Sequence, residues 1–198
     1  LVRGWVTSVN VEQRQLHLDG ARTIPFDKLL LAVGSKPNKF GWPGQDLRGV
    51  GGMVSVQDLQ AIEAASVGLK HAAIVGGGLI GVELAEMFHT RGIDVTFMVR
   101  EHAYWNHVLP PEEGDIVGEV IRAEGIDLQL ETELKEIVDD GTGKVGAIVT
   151  SKDERIEVGF VGLTAGVRPN LTVCEGSSIA TDRGILVDRT LQTNIEGI

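Results

Sequence analysis

"HAAIVGGGLIGVELAEMFHTRGIDVTFMVRE", residues 71–101, decides the fold. Its opening "AAIV" is a short, continuously apolar run of the kind a strand shows when both of its faces are buried. Three glycines follow in the spacing Gly76-x-Gly78-x-x-Gly81. Beyond them Ile80, Leu84, Met87 and Phe88 fall on one face of a helix predicted over 79–91, with Arg91 in its last turn and Gly92 just after it. "DVTFMV" is a second strand. A glycine triplet between a strand and a helix, with a second strand after it, is the context that makes GxGxxG a dinucleotide fingerprint. Gly76 permits the tight turn, Gly78 leaves no Cβ where the backbone approaches a pyrophosphate, and Gly81 lets helix and strand pack closely. Gly77, Leu79 and Ile80 complete the loop and supply first-turn N–H groups, which with the positive end of the helix dipole favour phosphate.

The end of the second strand chooses the 2′ group of the nucleotide. An acidic residue there accepts a hydrogen bond from the ribose 2′-OH of NAD and repels the 2′-phosphate of NADP. This chain has Val99, then Arg100, then Glu101. Val99 makes no such bond, Arg100 suits a phosphate, and Glu101 comes one or two residues late. The pattern leans towards NADP or loose discrimination; the competing reading of Arg100 is an exposed loop cation.

Outward from this unit the pattern changes. On the N-terminal side, Val6, Val9 and Val11 alternate, "EQRQ" turns, and Leu16 and Leu18 alternate again, which predicts an antiparallel pair closed by Asp19-Gly20. Leu29–Val33 reads as a strand buried on both faces, "KPNKFGWPG" as a loop, and 55–66 as a helix with Ser55 at its N-cap and Asp58 three residues on. On the C-terminal side, "PPEEGDIVGEVIRAEG" is a helix with proline and acids at its start, and "IDLQLET" is a third strand. Residues 134–158 make a three-stranded meander, "GFVGL" returns as a buried strand, and "GILVDRTLQT" reads as a last strand. The predicted class is α/β: a Rossmann-like parallel sheet with an inserted β-meander, flanked by further β segments.

Composition excludes several classes. The chain has 198 residues, 42% of them apolar and 23% charged, which is ordinary for a globular protein with a sizeable core. Its net charge is −10, and residues 112–140 alone carry eleven acids against two bases. Such a surface repels phosphate backbones and anionic lipid, so neither a nucleic acid nor a membrane surface is an expected partner. No apolar run reaches the roughly 18–20 residues of a membrane span, no signal peptide is evident, and a cytoplasmic location is expected. Cys174 is the single cysteine, so it forms no internal disulfide, CxxC pair or thiolate metal site, and reads as a small core residue. The histidines, at 17, 71, 89, 102 and 107, fall in no catalytic pattern. Trp105, in "REHAYWNHVLPPEE", has the choice of stacking on an adenine or packing into the protein.

Four blocks, in order, carry a resemblance: "FDKLLLAVGSKPNKFGWPG", "IVGGGLIGVELAE", "LTAGVRPN" and "RGILVDRTLQTNIEGI". Together they resemble the FAD-dependent pyridine nucleotide-disulfide oxidoreductases, which include NADH oxidases, rubredoxin and ferredoxin reductases, and coenzyme A-disulfide reductases. The resemblance covers nearly the whole chain. It implies an NAD(P)-binding domain at 68–175 inserted between a partial FAD-binding segment at 1–67 and its return segment at 176–198. It implies hydride transfer from NAD or NADP in reduced form to FAD, and electrons passed on to an acceptor, either a small molecule or a redox protein. It places Glu83 and Gly166 near the nicotinamide, and Val6 with Ala32, Val33 and Gly34 on the FAD adenosine side. The family's first flavin fingerprint would precede Leu1, as would any redox-active cysteine, and its flavin G-D motif would follow Ile198. Val33 stands where the family has threonine. No catalytic residue and no metal ligand is expected within the 198 residues. The full-length protein is expected to carry FAD, with a homodimer open, and the isolated chain to bind nucleotide without turnover. The alternatives are a binding module without turnover and a simple Rossmann dehydrogenase.

Overall fold

Alternation with a period of two lets a strand bury one face and wet the other. Val9 and Leu18 are the buried members of β1 (Val6–Asn10) and β2 (Gln15–Leu18). The two strands pair antiparallel, with Val9 opposite Leu16, and β3 (Thr23–Pro25) adds to β2. The structure, a computed structural model, describes residues 1–198, and its chain divides into two compact units, 1–36 with 168–198, and 37–167. Two short segments at the change-over, β4 (Ser35–Pro37) and a later strand over Val167–Pro169, form a two-stranded ribbon.

The smaller unit has a modest core: Val9, Cys174, Ile179 and Ile198 are buried, with Leu29, Leu31 and Ile185 packed against them. Burial raises the Cys174 thiol above its usual range, so it stays protonated. Two strand expectations fail here. Leu29–Val33 joins no sheet; Leu29 and Leu31 turn to the core while Leu30 is 87% exposed. The apolar run suits cover on two sides, and this chain covers only one. "GILVDRTLQT" is a chain of turns, with a single bridge between Thr181 and Ile185. Asp188 Oδ1 accepts the N–H groups of Thr190 and Gln192 and the Thr190 hydroxyl. That local bonding offers the backbone an alternative to a ladder.

In the larger unit β5 (Val50–Gly51) leads to α1 (Val56–Ser66), whose start carries the expected capping box between Ser55 and Asp58. Then follow β6 (His71–Val75), α2 (Leu79–His89), β7 (Asp94–Met98), α3 (Pro111–Ala123) and β8 (Asp127–Gln129). The meander is β9 (Leu134–Asp139), β10 (Val145–Thr150) and β11 (Arg155–Glu157), all antiparallel. β12 (Phe160–Leu163) returns to the main sheet, and β13 (Val167–Pro169) is the ribbon partner of β4. The main sheet has the order β5-β12-β6-β7-β8, every pair parallel.

Successive strand residues point to opposite faces, and the two faces are covered differently. Ala72, Ile74, Val95, Phe97 and Leu128 pack with Ile62 of α1, Leu84 and Phe88 of α2, and Ile121 of α3. Ala73, Val75, Met98, Val161 and Leu163 pack with Leu134, Ile137, Val145 and Ile148 of the meander. The unit is therefore helices, parallel sheet and meander in three layers. Val50-Gly51 pairs with β12 and Ile62 enters the helical core, so both belong to this compact unit. It closes at Val167, and residues 168–198 pack with 1–36.

Candidate functional site

Ligands of open parallel sheets bind outside the carboxyl ends of the strands. Three loops meet there: 76–78 after β6, 99–101 after β7, and 164–166 after β12. Gly76 has φ +118°, a conformation L side chains rarely adopt, and its N–H donates to the Met98 carbonyl at 3.0 Å. A Cβ on Gly76 would lie 2.7 Å from the Ala165 nitrogen. On Gly81 it would lie 2.1 Å from the Gly76 carbonyl oxygen, so α2 seats on the turn only because both residues are glycine. Gly77 is closed off differently: a Cβ there would meet Val99 Cγ1 at 2.7 Å. On Gly78 a Cβ would meet nothing within 4 Å. Two glycines of the fingerprint thus serve packing, while the middle one faces open space.

Gly78 is also the N-cap of α2, and it contributes no side-chain hydrogen bond. The first-turn N–H groups of Leu79, Ile80 and Gly81 have no partner within the helix, and no acid sits in that turn. The other two helices are finished differently, α1 by its capping box and α3 by Pro111, Glu112 and Glu113. Glu83 is exposed one turn further on, Leu79 is exposed and Ile80 half-buried. The site offers an anion a set of backbone donors and a positive helix end beside the open Cβ position of Gly78.

The 164–166 loop is pinned by residues whose role sequence reading missed. The buried Thr164 hydroxyl lies 2.9 Å from the Val75 carbonyl oxygen and 3.1 Å from that of Gly76, bonding the end of β6. Asn38 donates its backbone N–H to the Gly166 carbonyl and its Nδ2 to the Ala165 carbonyl. Gly166 has φ +80°. The signal for Thr164 was a hydroxyl at the end of an otherwise apolar strand; Asn38 gave none. Thr164→Val keeps the shape and removes the hydroxyl bonds. It is expected to cost about 1–2 kcal/mol, read by urea denaturation.

At the end of β7, Val99 is fully buried beneath Gly77, so its side chain is floor rather than ligand surface. Arg100 Nε donates to Glu101 Oε1 at 2.8 Å, with Arg100 73% and Glu101 24% exposed. The hydrogen bond and charge of Glu101 raise the Arg100 pKa further. Trp105 packs against the helical core, and Tyr104 meets Phe97 edge-on with ring centroids 6.1 Å apart. His71 is bonded through Nε2 to Thr96 Oγ1 at 3.0 Å, within the sheet. The positions assigned to the second nucleotide lie in the smaller unit: Val6 in β1, and Ala32, Val33 and Gly34 in the segment before β4, Gly34 at φ +67°.

A family model described as pyridine nucleotide-disulphide oxidoreductase matches residues 1–198, the whole chain. The chain belongs to the pyridine nucleotide-disulphide oxidoreductase family. Among curated relatives in this family, a Bacillus subtilis (strain 168) nitrite reductase [NAD(P)H] is 33% identical over 193 residues, 98% of this chain and 24% of that protein. A rubredoxin-NAD(+) reductase of Acinetobacter baylyi is 29% identical, covering 98% of this chain and 51% of its own. The ferredoxin reductase of the CYP199A2 system from Rhodopseudomonas palustris superposes with a TM-score of 0.87 at 24% identity, over 98% of this chain and 48% of that one. This chain therefore spans between a quarter and half of the pyridine nucleotide-disulphide oxidoreductases it matches. The likeness in fold accounts for the three-layer unit and for the flanking β segments. No helix is long and apolar enough to cross a membrane.

Proposed function

We propose that this chain is the NAD(P)H-binding part of a cytoplasmic flavoprotein oxidoreductase that passes hydride from NAD(P)H to FAD and electrons onward to an acceptor. The observation that carries the reading is the bare N-terminus of α2 behind the open face of Gly78, in a chain matched over its whole length by one redox family. Gly76, Gly78 and Gly81, with the N–H groups of Leu79 and Ile80, hold the pyrophosphate. Glu83 and Gly166 take the nicotinamide side, and Arg100 and Glu101 the adenosine ribose, with Val99 as the floor beneath the turn. Val6 and Ala32–Gly34 contribute to the FAD adenosine site, and the uncovered side of Leu29–Val33 is where further flavin-domain strands would pack. The domains are 37–167 for NAD(P) and the two flanks for FAD. The nicotinamide supplies a hydride and the flavin receives it; the protein supplies binding and alignment.

The acceptor is a small molecule or a redox protein, as the names of the relatives suggest for those proteins. The full-length protein is a homodimer in this reading, and the 198 residues alone bind nucleotide without turnover. No observation favours a simple dehydrogenase, since His71 is bonded to Thr96 and no histidine lies in the three loops. Calorimetric titration of the purified chain with NADH and NADPH tests the proposal. Saturable binding of at least one nucleotide is expected, with no NADH oxidation in the absence of added flavoprotein. Failure to bind either nucleotide overturns the reading. Turnover by the chain alone overturns its assignment as a part.

A further inference from the structure

We propose that Asn38 is a positioning residue for the nicotinamide half of the nucleotide, because its side chain and backbone N–H hold the Ala165 and Gly166 carbonyls and so fix the surface on which that half lies. The inference rests on the reading of Gly76–Gly81 as a nucleotide site and of Gly166 as its nicotinamide side. It assigns a residue that acts on the ligand only through the 164–166 loop.

The loop is held at its two ends by two different residues. At the near end the Thr164 N–H donates to the Val75 carbonyl at 2.9 Å, and the Thr164 hydroxyl meets the carbonyl oxygens of Val75 and Gly76. These bonds tie the loop to the turn of the glycine fingerprint. At the far end Asn38 is the anchor: its backbone N–H donates to the Gly166 carbonyl at 3.0 Å, and its Nδ2 to the Ala165 carbonyl at 3.2 Å. The carbonyl and the N–H of one trans peptide point in opposite directions. The Ala165–Gly166 peptide is therefore gripped on both edges, by Asn38 on its carbonyl and by the Thr164 carbonyl on the Gly166 N–H at 2.8 Å. The same contact orients the Asn38 amide, since Oδ1 turned to that place would face a second acceptor. Gly166 is exposed at φ +80°, and Asn38 Nδ2 lies 3.1 Å from the place a Cβ on it would take. Asn38 is half-buried and follows Pro37, whose ring occupies the space a Cβ on Gly52 would need.

The two anchors differ in what their loss would do. Without the Thr164 hydroxyl the loop loosens where it meets Gly76, beside the pyrophosphate turn, and every ligand that carries a pyrophosphate is affected. Without the Asn38 amide those bonds remain, and only the Ala165–Gly166 peptide is released. A carbonyl freed from its donor turns to find another, so the peptide rotates and the surface under the nicotinamide changes in outline and polarity. The adenosine and pyrophosphate parts lie on the loops 76–81 and 99–101, to which Asn38 makes no hydrogen bond. The effect of Asn38 is thereby confined to one half of the ligand.

The test is calorimetry of the purified chain with NADH and with ADP-ribose, which has the same adenosine, pyrophosphate and second ribose but no nicotinamide. The readout is the ratio of the two dissociation constants. The parent chain is expected to bind NADH about fivefold more tightly or better. Asn38→Asp keeps the shape, removes the donor and sets a carboxylate against the Ala165 carbonyl. Its NADH affinity is expected to fall about fivefold to tenfold, with ADP-ribose affinity within about twofold of the parent. The added charge acts on both pyrophosphates alike and cancels in the ratio. Asn38→Ala removes the donor without adding a charge, is expected to cost NADH about threefold to fivefold, and reads the same ratio if Asn38→Asp does not fold. Thr164→Val, by contrast, is expected to weaken both ligands to within about twofold of each other. Parallel loss of both ligands in the Asn38 variants is the mark of a merely structural role and overturns the inference, as does failure of both variants to fold or an unchanged NADH affinity. ADP-ribose bound as tightly as NADH by the parent overturns it too, while leaving the pyrophosphate site intact. Binding of neither ligand by the parent overturns the nucleotide reading and this inference with it.

Discussion

Gly76→Ala is expected to destabilise the larger unit by about 3 kcal/mol, the sum of a strained backbone at about 1–3 kcal/mol and an overpacked contact at about 1–3 kcal/mol. Both terms come from one residue. Its φ of +118° lies where an alanine is strained whatever the space around it. The added Cβ would also press on the backbone of Thr164 and Ala165 at 2.7–2.8 Å, and backbone cannot swing aside as a side chain can. Relief requires the 164–166 loop to lift, which pulls the Thr164 hydroxyl off the Val75 and Gly76 carbonyls. Thermal unfolding followed by circular dichroism should show a midpoint lower by about 10 °C for a unit of this size. Nucleotide affinity is expected to fall with it, because the turn that aims α2 is the part displaced. A midpoint within about 2 °C of the parent would show that the turn relaxes without cost.

Gly78→Ala is expected to do the reverse: stability within about 1 kcal/mol of the parent, the difference being that alanine caps a helix less well than glycine, and NADH affinity lower by about thirtyfold or more. Gly78 has φ −92° and ψ −176°, extended backbone open to any residue, and the protein leaves its Cβ position clear. Nothing in the fold requires glycine there. Glycine is required only if a ligand approaches the backbone at that point, as a pyrophosphate on the first turn of α2 would. The pair of variants therefore separates the two meanings of a glycine fingerprint. Unfolding curves beside calorimetric titration read both. Unaltered NADH affinity in Gly78→Ala would remove the pyrophosphate from this face of α2.

Much of this was legible from residue order. The βαβ unit, the capping box at Ser55, the meander and the buried "FVGL" strand follow from periodicity and local chemistry, which act within a few residues. The two readings that failed have a common cause. Leu29–Val33 and residues 184–193 are apolar enough for strands, yet a strand exists only where another backbone lies beside it. No composition shows whether that neighbour is present. In the second segment Asp188 supplies a local alternative, and the side chain of Gln192 ties down the carbonyls of Thr193, Ile195 and Ile198. Trp105 is the intermediate case: sequence left it between stacking and packing, and contact with the helical core places it.

By itself the sequence determined the α/β class, the strand-turn-helix over 71–89, and the absence of an internal disulfide. Spacing along the chain sets those, through the 3.6 and 2.0 periods and the geometry of glycine. Only the tertiary structure decided which glycines serve packing and which one is left open, because that depends on what another loop brings against each Cβ. It also decided that Thr164 and Asn38 support the site from positions 88 and 38 residues away from Gly76. The engagement of Arg100 belongs to the same class. Arg100 read alone is a phosphate partner; in the fold its Nε donates to Glu101 Oε1 at 2.8 Å. Charges act through space, and only folding sets those distances.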